Sequence, residues 1–231
     1  MRANLQGFTP HLEVLPVEQR KLWDELASVP KEFVLYRGTA LALHLGHRES
    51  IDFDFFGSRV LNMADLEKQM PFLSKAKVVQ REANTLSVLV IRGQRVKVSF
   101  FGVPNLPRLR NPHVAPSNGL QVASLLDLAG TKASVVQLRA EAKDYCDIDA
   151  MLRLTDISLP TALAAAQKLY GATFNPEITL KTLSYFDDGN LRALPEDMKS
   201  RLAAAAREVD RERLPEVGAA GLAVRDHGTE L

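Results

Sequence analysis

One cysteine, Cys146, is all that this 231-residue chain contains, so no disulfide closes within it, and no Cys and His pattern with zinc spacing is present. A reducing cytoplasm is the expected location. Also missing is any apolar run near the roughly 18 to 20 residues that a membrane helix needs. The N-terminal "MRANLQGFTPHLEVLP" lacks the continuous apolar centre of a signal peptide, so neither membrane insertion nor export is expected. Charge of one sign is scarce too: 29 Lys and Arg stand against 28 Asp and Glu, which excludes a global field for a polyanion and leaves local basic patches open. No internal repeat and no low-complexity tract is visible, apart from a tail after Val217 that is expected to fray.

What is there suits a soluble globular protein, since 46% hydrophobic against 25% charged residues over this length builds one large core or two smaller ones. "PVEQRKLWDELASVP" carries Leu22, Trp23 and Leu26 at helical spacing and stops at Pro30. "EFVLYRG" reads as a strand and a tight turn, and "TALALHLG" as a two-turn helix with Thr39 as its cap and Gly46 as its stop. The period then changes to two. In "SIDFDFFG", Ile51, Phe53 and Phe55 are predicted to face one side and Ser50, Asp52 and Asp54 the other.

"NMADLEKQMPFL" reads as a helix, and "KAKVVQREA", "TLSVLVIRG" and "QRVKVSFFG" as an antiparallel meander with turns at Ala83-Asn84 and Gly93-Gln94. The Pro- and Asn-rich stretch from Gly102 to Gly119 reads as a loop. Beyond it "VASLLDLAGTKASVVQLRAEAKDYCDIDAMLRL", "TALAAAQKLYG" and "PEDMKSRLAAAAREVDRERL" are helical in composition and spacing. The expectation is an α+β (mixed α/β) chain: residues 1–119 with a small mixed sheet flanked by helices, and residues 120–231 as a helical half.

Asp52 and Asp54 carry the chemistry most directly. Carboxylates on alternate residues project from one strand face about 7 Å apart at the backbone, and a hard divalent ion such as magnesium takes carboxylate oxygens together with substrate phosphates. The competing reading is a half-exposed strand with one polar face. The preceding turn favours the metal: Gly38 and Thr39 stand between a strand and a helix N-terminus, where free amides and the helix dipole attract phosphate.

"GTALALHLGHRESIDFDFF" resembles the first motif of the AbiEii/AbiGii toxin family of nucleotidyltransferases, a branch of the DNA polymerase beta type superfamily. "DLAGTKASVVQLRAEAKDYCDIDAML" is similar to that family's helical segment, with a Lys, a later Arg, and a basic residue followed by D-x-x-D. The resemblance implies a nucleotidyltransferase core with magnesium (or manganese) on Asp52 and Asp54, and a nucleoside triphosphate held by Gly38, Thr39 and Lys132. It implies that Asp144 completes the site as general base or as a further acid, supported by Asp147. Arg48 would reach a phosphate or buttress Asp54. It further implies a toxin role with a cognate antitoxin, and RNA such as tRNA as an acceptor.

Lys132 and Arg139, seven residues apart, are predicted to share a helix face. One position departs from the superfamily pattern: where a third carboxylate is common on a later strand, this chain has Ser99. That opens the alternative of a catalytically impaired nucleotide- or RNA-binding module; the resemblance to the superfamily separately leaves open a transferase acting on a small molecule or protein. Lys97, on the face of Ser99, is a phosphate or nucleic-acid contact or a surface lysine. Arg108 and Arg110 lie in a basic loop that either tracks a nucleic-acid backbone or is a solvated linker. His44 and His47 lack the adjacent His-Asp pair of a metal phosphohydrolase and read as structural or substrate-positioning, and Cys146 as a small packing residue.

Overall fold

A computed structural model describes residues 8–218. The apolar run Phe33–Tyr36 is buried along its whole length and forms β1. The chain reverses at Arg37, which has a left-handed φ of 62°, and enters α2 (Arg37–Leu45) after α1 (Val17–Trp23). Gly46, at φ 65°, returns its amide to the Ala42 carbonyl and ends α2, as the Gly stop predicts. The Thr39 cap is not found. Tyr36 is the N-cap residue and provides no side-chain cap, whereas Thr39 lies inside the first turn, its hydroxyl donating to the Asp52 carbonyl and bonded to Ser50 Oγ at 2.8 Å.

Strands β1, β2 (Asp52–Gly57), β3 (Lys77–Glu82), β4 (Thr85–Ile91), β5 (Arg95–Gly102), β6 (His113–Val114) and β7 (Gln121–Val122) form a seven-stranded mixed sheet in the order β3-β4-β5-β2-β1-β7-β6, with α3 (Met63–Gln69) between β2 and β3. The predicted meander is β3, β4 and β5. β5 lies parallel to β2, and β2 antiparallel to β1. The stretch expected to be pure loop contributes β6, which pairs with β7 across a tight turn closed at Gly119.

Alternation along β2 sends Phe53 and Phe55 into the core, where Phe55 stacks on Phe100 at 5.2 Å. Ile51 does not join them: the strand begins at Asp52, and Ile51 is 56% exposed. The other face carries two rows in register. One is Tyr36, Asp54, Ser99, Ser87; the other is Asp52, Lys97, Leu89.

The helices are α4 (Leu125–Val135), α5 (Ala142–Leu154), α6 (Leu159–Tyr170), α7 (Pro176–Thr182) and α8 (Glu196–Arg207). Ser124 caps α4 by accepting from the Asp127 amide. The Asp127 carboxylate in turn accepts the amides of Leu109 and Arg110, fixing the Pro-rich connection against the helix start. A Cβ on Gly130 would stand 2.9 Å from the backbone of Ala165 and Ala166, so only glycine lets α4 and α6 approach this closely.

α4 stops at Val135, which places Arg139 in the connection to α5 and not on a shared helix face with Lys132. α7 was not apparent from periodicity. Its seven residues are too few to develop a helical stripe.

Buried apolar side chains form two clusters. One runs from Val14 to Leu128 and the other from Ala129 to Ala206, so they meet on α4, and Leu45 of α2 packs against both. Residues 219–231, most of the tail expected to fray, lie outside the described residues.

Candidate active site

The polar sheet face, the N-terminus of α2 and the facing sides of α4 and α5 enclose a cleft of about 760 Å³. It brings together Gly38, Thr39, Arg48, Asp52, Asp54, Lys132, Arg139 and Asp144 on its lining. Asp147 lies directly behind Lys132, and Ser99 lies beside Asp54 on the sheet.

The two acids of β2 are short of partners. Asp52 has no ion pair or side-chain hydrogen bond among the described residues, and Asp54 has one long ion pair, 3.6 Å from Arg37 Nη1. Burial pushes the Asp54 carboxyl above the usual range, with Arg37 opposing the shift and Asp52 adding to it. Among the described residues no group of three or more His, Cys, Asp or Glu is arranged to hold a metal, so the protein offers a carboxylate pair. Such a pair fits a magnesium-type ion that completes its shell with phosphate oxygens and water. Ser99, at the position of a third acid, is buried and accepts from Ser87 Oγ at 3.0 Å.

Opposite them stands a closed charge network. Lys132 Nζ lies 2.6 Å from Asp144 Oδ1 and 2.5 Å from Asp147 Oδ2. Arg139, reaching in from the connection, donates Nε to Asp144 Oδ2 at 2.8 Å. Arg48 grips Asp147 through Nε at 2.7 Å and Nη2 at 3.0 Å. His47 Nε2 donates to Asp147 Oδ1 at 2.8 Å, which assigns the proton to that nitrogen because a carboxylate only accepts.

Both acids are wholly buried. Burial alone would push Asp147 up, yet the hydrogen bonds from His47 and Arg48 and the charge of Lys132 hold it far below the carboxylate range. Asp144 has both oxygens engaged, so here it orients Lys132 and Arg139. Arg48 bonds to Asp147 and not to Asp54, and so joins the α2–β2 connection to α5. Gly38 makes room for it: a Cβ there would meet Arg48 Nη2 at 2.6 Å.

Other residues on the lining carry no motif of their own. Arg37 extends over Phe56 and Phe101, 5.2 and 4.8 Å from the ring centroids. Lys143 lines the cleft while paired to Glu141 at 2.8 Å. Tyr36 and Tyr170 contribute aromatic walls. The only sequence sign for Arg37 was its place immediately before Gly38, and alternation alone indicates Lys97.

His44 is structural, donating Nε2 to the Ala123 carbonyl at 2.8 Å beside Phe8 and His113. Burial lowers its pKa to about 4. Cys146 is half-buried with Sγ 4.0 Å from Met198 Sδ, and burial raises its thiol. The basic loop is anchored in part. Arg110 gives its amide to Asp127 and Nη1 to the Leu109 carbonyl, and Arg108 has Nε and Nη2 buried without a hydrogen-bond partner among the described residues.

Comparison with known proteins bears on the fold and the family. An uncharacterized protein of Aquifex aeolicus is 30% identical over 178 residues, spanning 75% of this chain and 84% of its own. The nucleotidyltransferase toxin MenT4 of Mycobacterium tuberculosis superposes with a TM-score of 0.59 at 14% identity, covering 85% of this chain and 84% of that one. An antigenic nucleotidyltransferase-like protein of Paracoccidioides brasiliensis gives 0.51 at 16% identity, over 84% and 94% of the two chains. Residues 21–220 match the family described as nucleotidyl transferase AbiEii toxin, type IV toxin-antitoxin system. That match spans most of the sequence, and the chain therefore belongs to the AbiEii family of nucleotidyltransferase toxins.

Proposed function

We propose that this protein moves a nucleoside monophosphate from a nucleoside triphosphate to an acceptor hydroxyl, such as the end of a tRNA or other RNA, and that a cognate antitoxin restrains it in the cytoplasm. Among the described residues no helix is long and apolar enough to cross a membrane. The observation that carries the reading is the convergence in one cleft of two under-paired carboxylates, an uncapped helix N-terminus and a bank of cations.

Residues 1–119 would bind the phosphates, with the amides at Gly38 and Thr39 directed at them. Asp52 and Asp54 would hold magnesium or manganese, which when bound neutralises phosphate charge and activates the α-phosphorus. The helical half supplies Lys132, held at the cleft wall by Asp144 and Asp147, for the phosphate tail. In the transfer, the acceptor oxygen bonds to the α-phosphorus, the bond to the bridging oxygen breaks, and pyrophosphate leaves with that electron pair. The hydroxyl proton passes to solvent.

Ser99 favours a second reading, a binding module without catalysis. One experiment separates the two. The protein is incubated with each labelled nucleoside triphosphate, magnesium and total RNA, beside Asp54→Asn. Label on RNA that vanishes in the variant supports transfer. RNA binding that needs no magnesium, with no label on any acceptor, supports the module.

A further inference from the structure

Arg37 is the one cleft residue whose backbone and side chain are both in unusual states. Its φ of 62° is left-handed, a conformation that is strained for a residue with a Cβ. Glycine would adopt it freely. The arginine is the first residue of α2, so its Cα lies between the uncapped amides and the end of β1. Its guanidinium rests on Phe56 and Phe101, an apolar shelf that leaves its N–H groups free for an anion. The side chain is half-exposed, lines the cleft, and approaches Asp54 only to 3.6 Å.

That ion pair is too long for a good charge-assisted hydrogen bond, and it is the one ion pair Asp54 makes among the described residues, Lys97 and Lys143 acting on the carboxylate only from further off. The sheet next to it offers no third acid: Ser99 occupies that place in the row with Asp54, and Lys97 faces Asp52 in the next row. The protein side of the site thus offers one carboxylate pair for a divalent ion. A triphosphate carries more negative charge than one such ion neutralises.

We infer that Arg37 is a phosphate-binding residue that exchanges partners. At 3.6 Å it is a provisional counter-ion for Asp54. With metal and nucleotide bound, Asp54 would serve as a metal ligand, and the guanidinium, still seated on its aromatic shelf, would turn its N–H groups to the phosphate oxygens. It supplies positive charge on the flank where the sheet has no carboxylate for a second metal. This inference rests on the nucleotidyl-transfer reading of the cleft.

The test compares the wild type with Arg37→Gly and Arg37→Lys. Glycine removes the guanidinium while relieving the backbone, so thermal unfolding should occur at the same temperature or higher. Free Mn2+ is titrated by electron paramagnetic resonance, and the α,β-methylene analogues of the four nucleoside triphosphates by calorimetry with Mn2+ present. The expected signature has opposite signs. Mn2+ alone binds Arg37→Gly as well as or better than the wild type, because a competitor for Asp54 is gone. The Mn2+-nucleotide analogue binds about tenfold to a hundredfold more weakly, and Arg37→Lys recovers part of that loss.

An analogue affinity in Arg37→Gly within about twofold of the wild type, which is near the error of a free-energy comparison, overturns the role of Arg37 and leaves the transfer reading intact. Weaker Mn2+ binding by the glycine variant also overturns it. A wild type that binds Mn2+ but none of the analogues overturns both.

Discussion

Two pairs of aspartates sit on either side of one cleft, and they are treated in opposite ways. Of Asp52 and Asp54, only Asp54 has an ion pair among the described residues, a long one to Arg37. Asp144 and Asp147 are wholly buried and bound by Lys132, Arg139, Arg48 and His47. The same side chain therefore does two jobs according to what surrounds it. A carboxylate left short of cations keeps affinity for something absent from the chain, whereas a saturated one fixes the cations around it. The shifts agree in sign: burial wins at Asp54 and raises it, while hydrogen bonds and charge win at Asp147 and lower it.

The contrast breaks most visibly through substitution. Asp54→Asn should reduce nucleotidyl transfer by about a thousandfold, since it removes several kcal/mol of metal-centred stabilisation. Its unfolding temperature should hold or rise, because a poorly paired buried charge is gone; a large fall would make Asp54 structural. Asp147→Asn should do the reverse in emphasis, losing about 3 kcal/mol or more in denaturant unfolding by stranding Arg48 and Lys132. Equal stability in the two variants would erase the distinction.

Acidification sharpens it further, through a group with no ion pair among the described residues. His44 has its folded-state pKa lowered from 6.5 to about 4, so the unfolded chain takes up the proton first as pH falls. Its contribution is complete above about pH 6.5 and is lost between there and about pH 4, at most about 3 kcal/mol. His44→Gln, which keeps a donor for the Ala123 carbonyl, should flatten the stability profile in that window when unfolding is followed against pH. The Asp147 contribution has the same sign but lies lower. It is present above the ordinary carboxylate pKa and is lost only as pH falls through the depressed folded value.

The smallest expected effect is that of Gly38→Ala. Its Cβ would displace the end of the Arg48 side chain from Asp147, lowering stability by about 1 kcal/mol. Arg48→Ala in the same background should add little.

Much of this was legible because it is local. The two-residue period placed Asp52 and Asp54 on one face without reference to the rest of the chain, and Gly46 ended α2 as a left-handed residue must. What was hidden depended on partners distant in sequence. Arg48 and Asp147 are 99 positions apart, and nothing in "GHRES" indicates a bidentate grip on α5. Arg139 was assigned to a helix because its seven-residue spacing from Lys132 fits one, but the helix ends at Val135. Thr39 looked like a cap by residue type, yet the carbonyl of Asp52 claims its hydroxyl. The shelf under Arg37 needs Phe101 from a strand that pairs with β2 only in the folded sheet.

The two apolar cores exchange between consecutive residues of α4, Leu128 and Ala129. That seam makes the halves inseparable as units of inheritance. A shortened gene ending before α4 would encode the acids without the lysine that faces them and would leave the first core open along one side. A fragment beginning at α4 would keep Lys132 and Arg139 but lack Asp52 and Asp54. Recombination at the Pro-rich connection, the natural place to splice new partners, is also constrained because Asp127 of α4 binds that connection through its amides. New substrate preferences should therefore arise by changing the rim of the cleft and not by shuffling its halves.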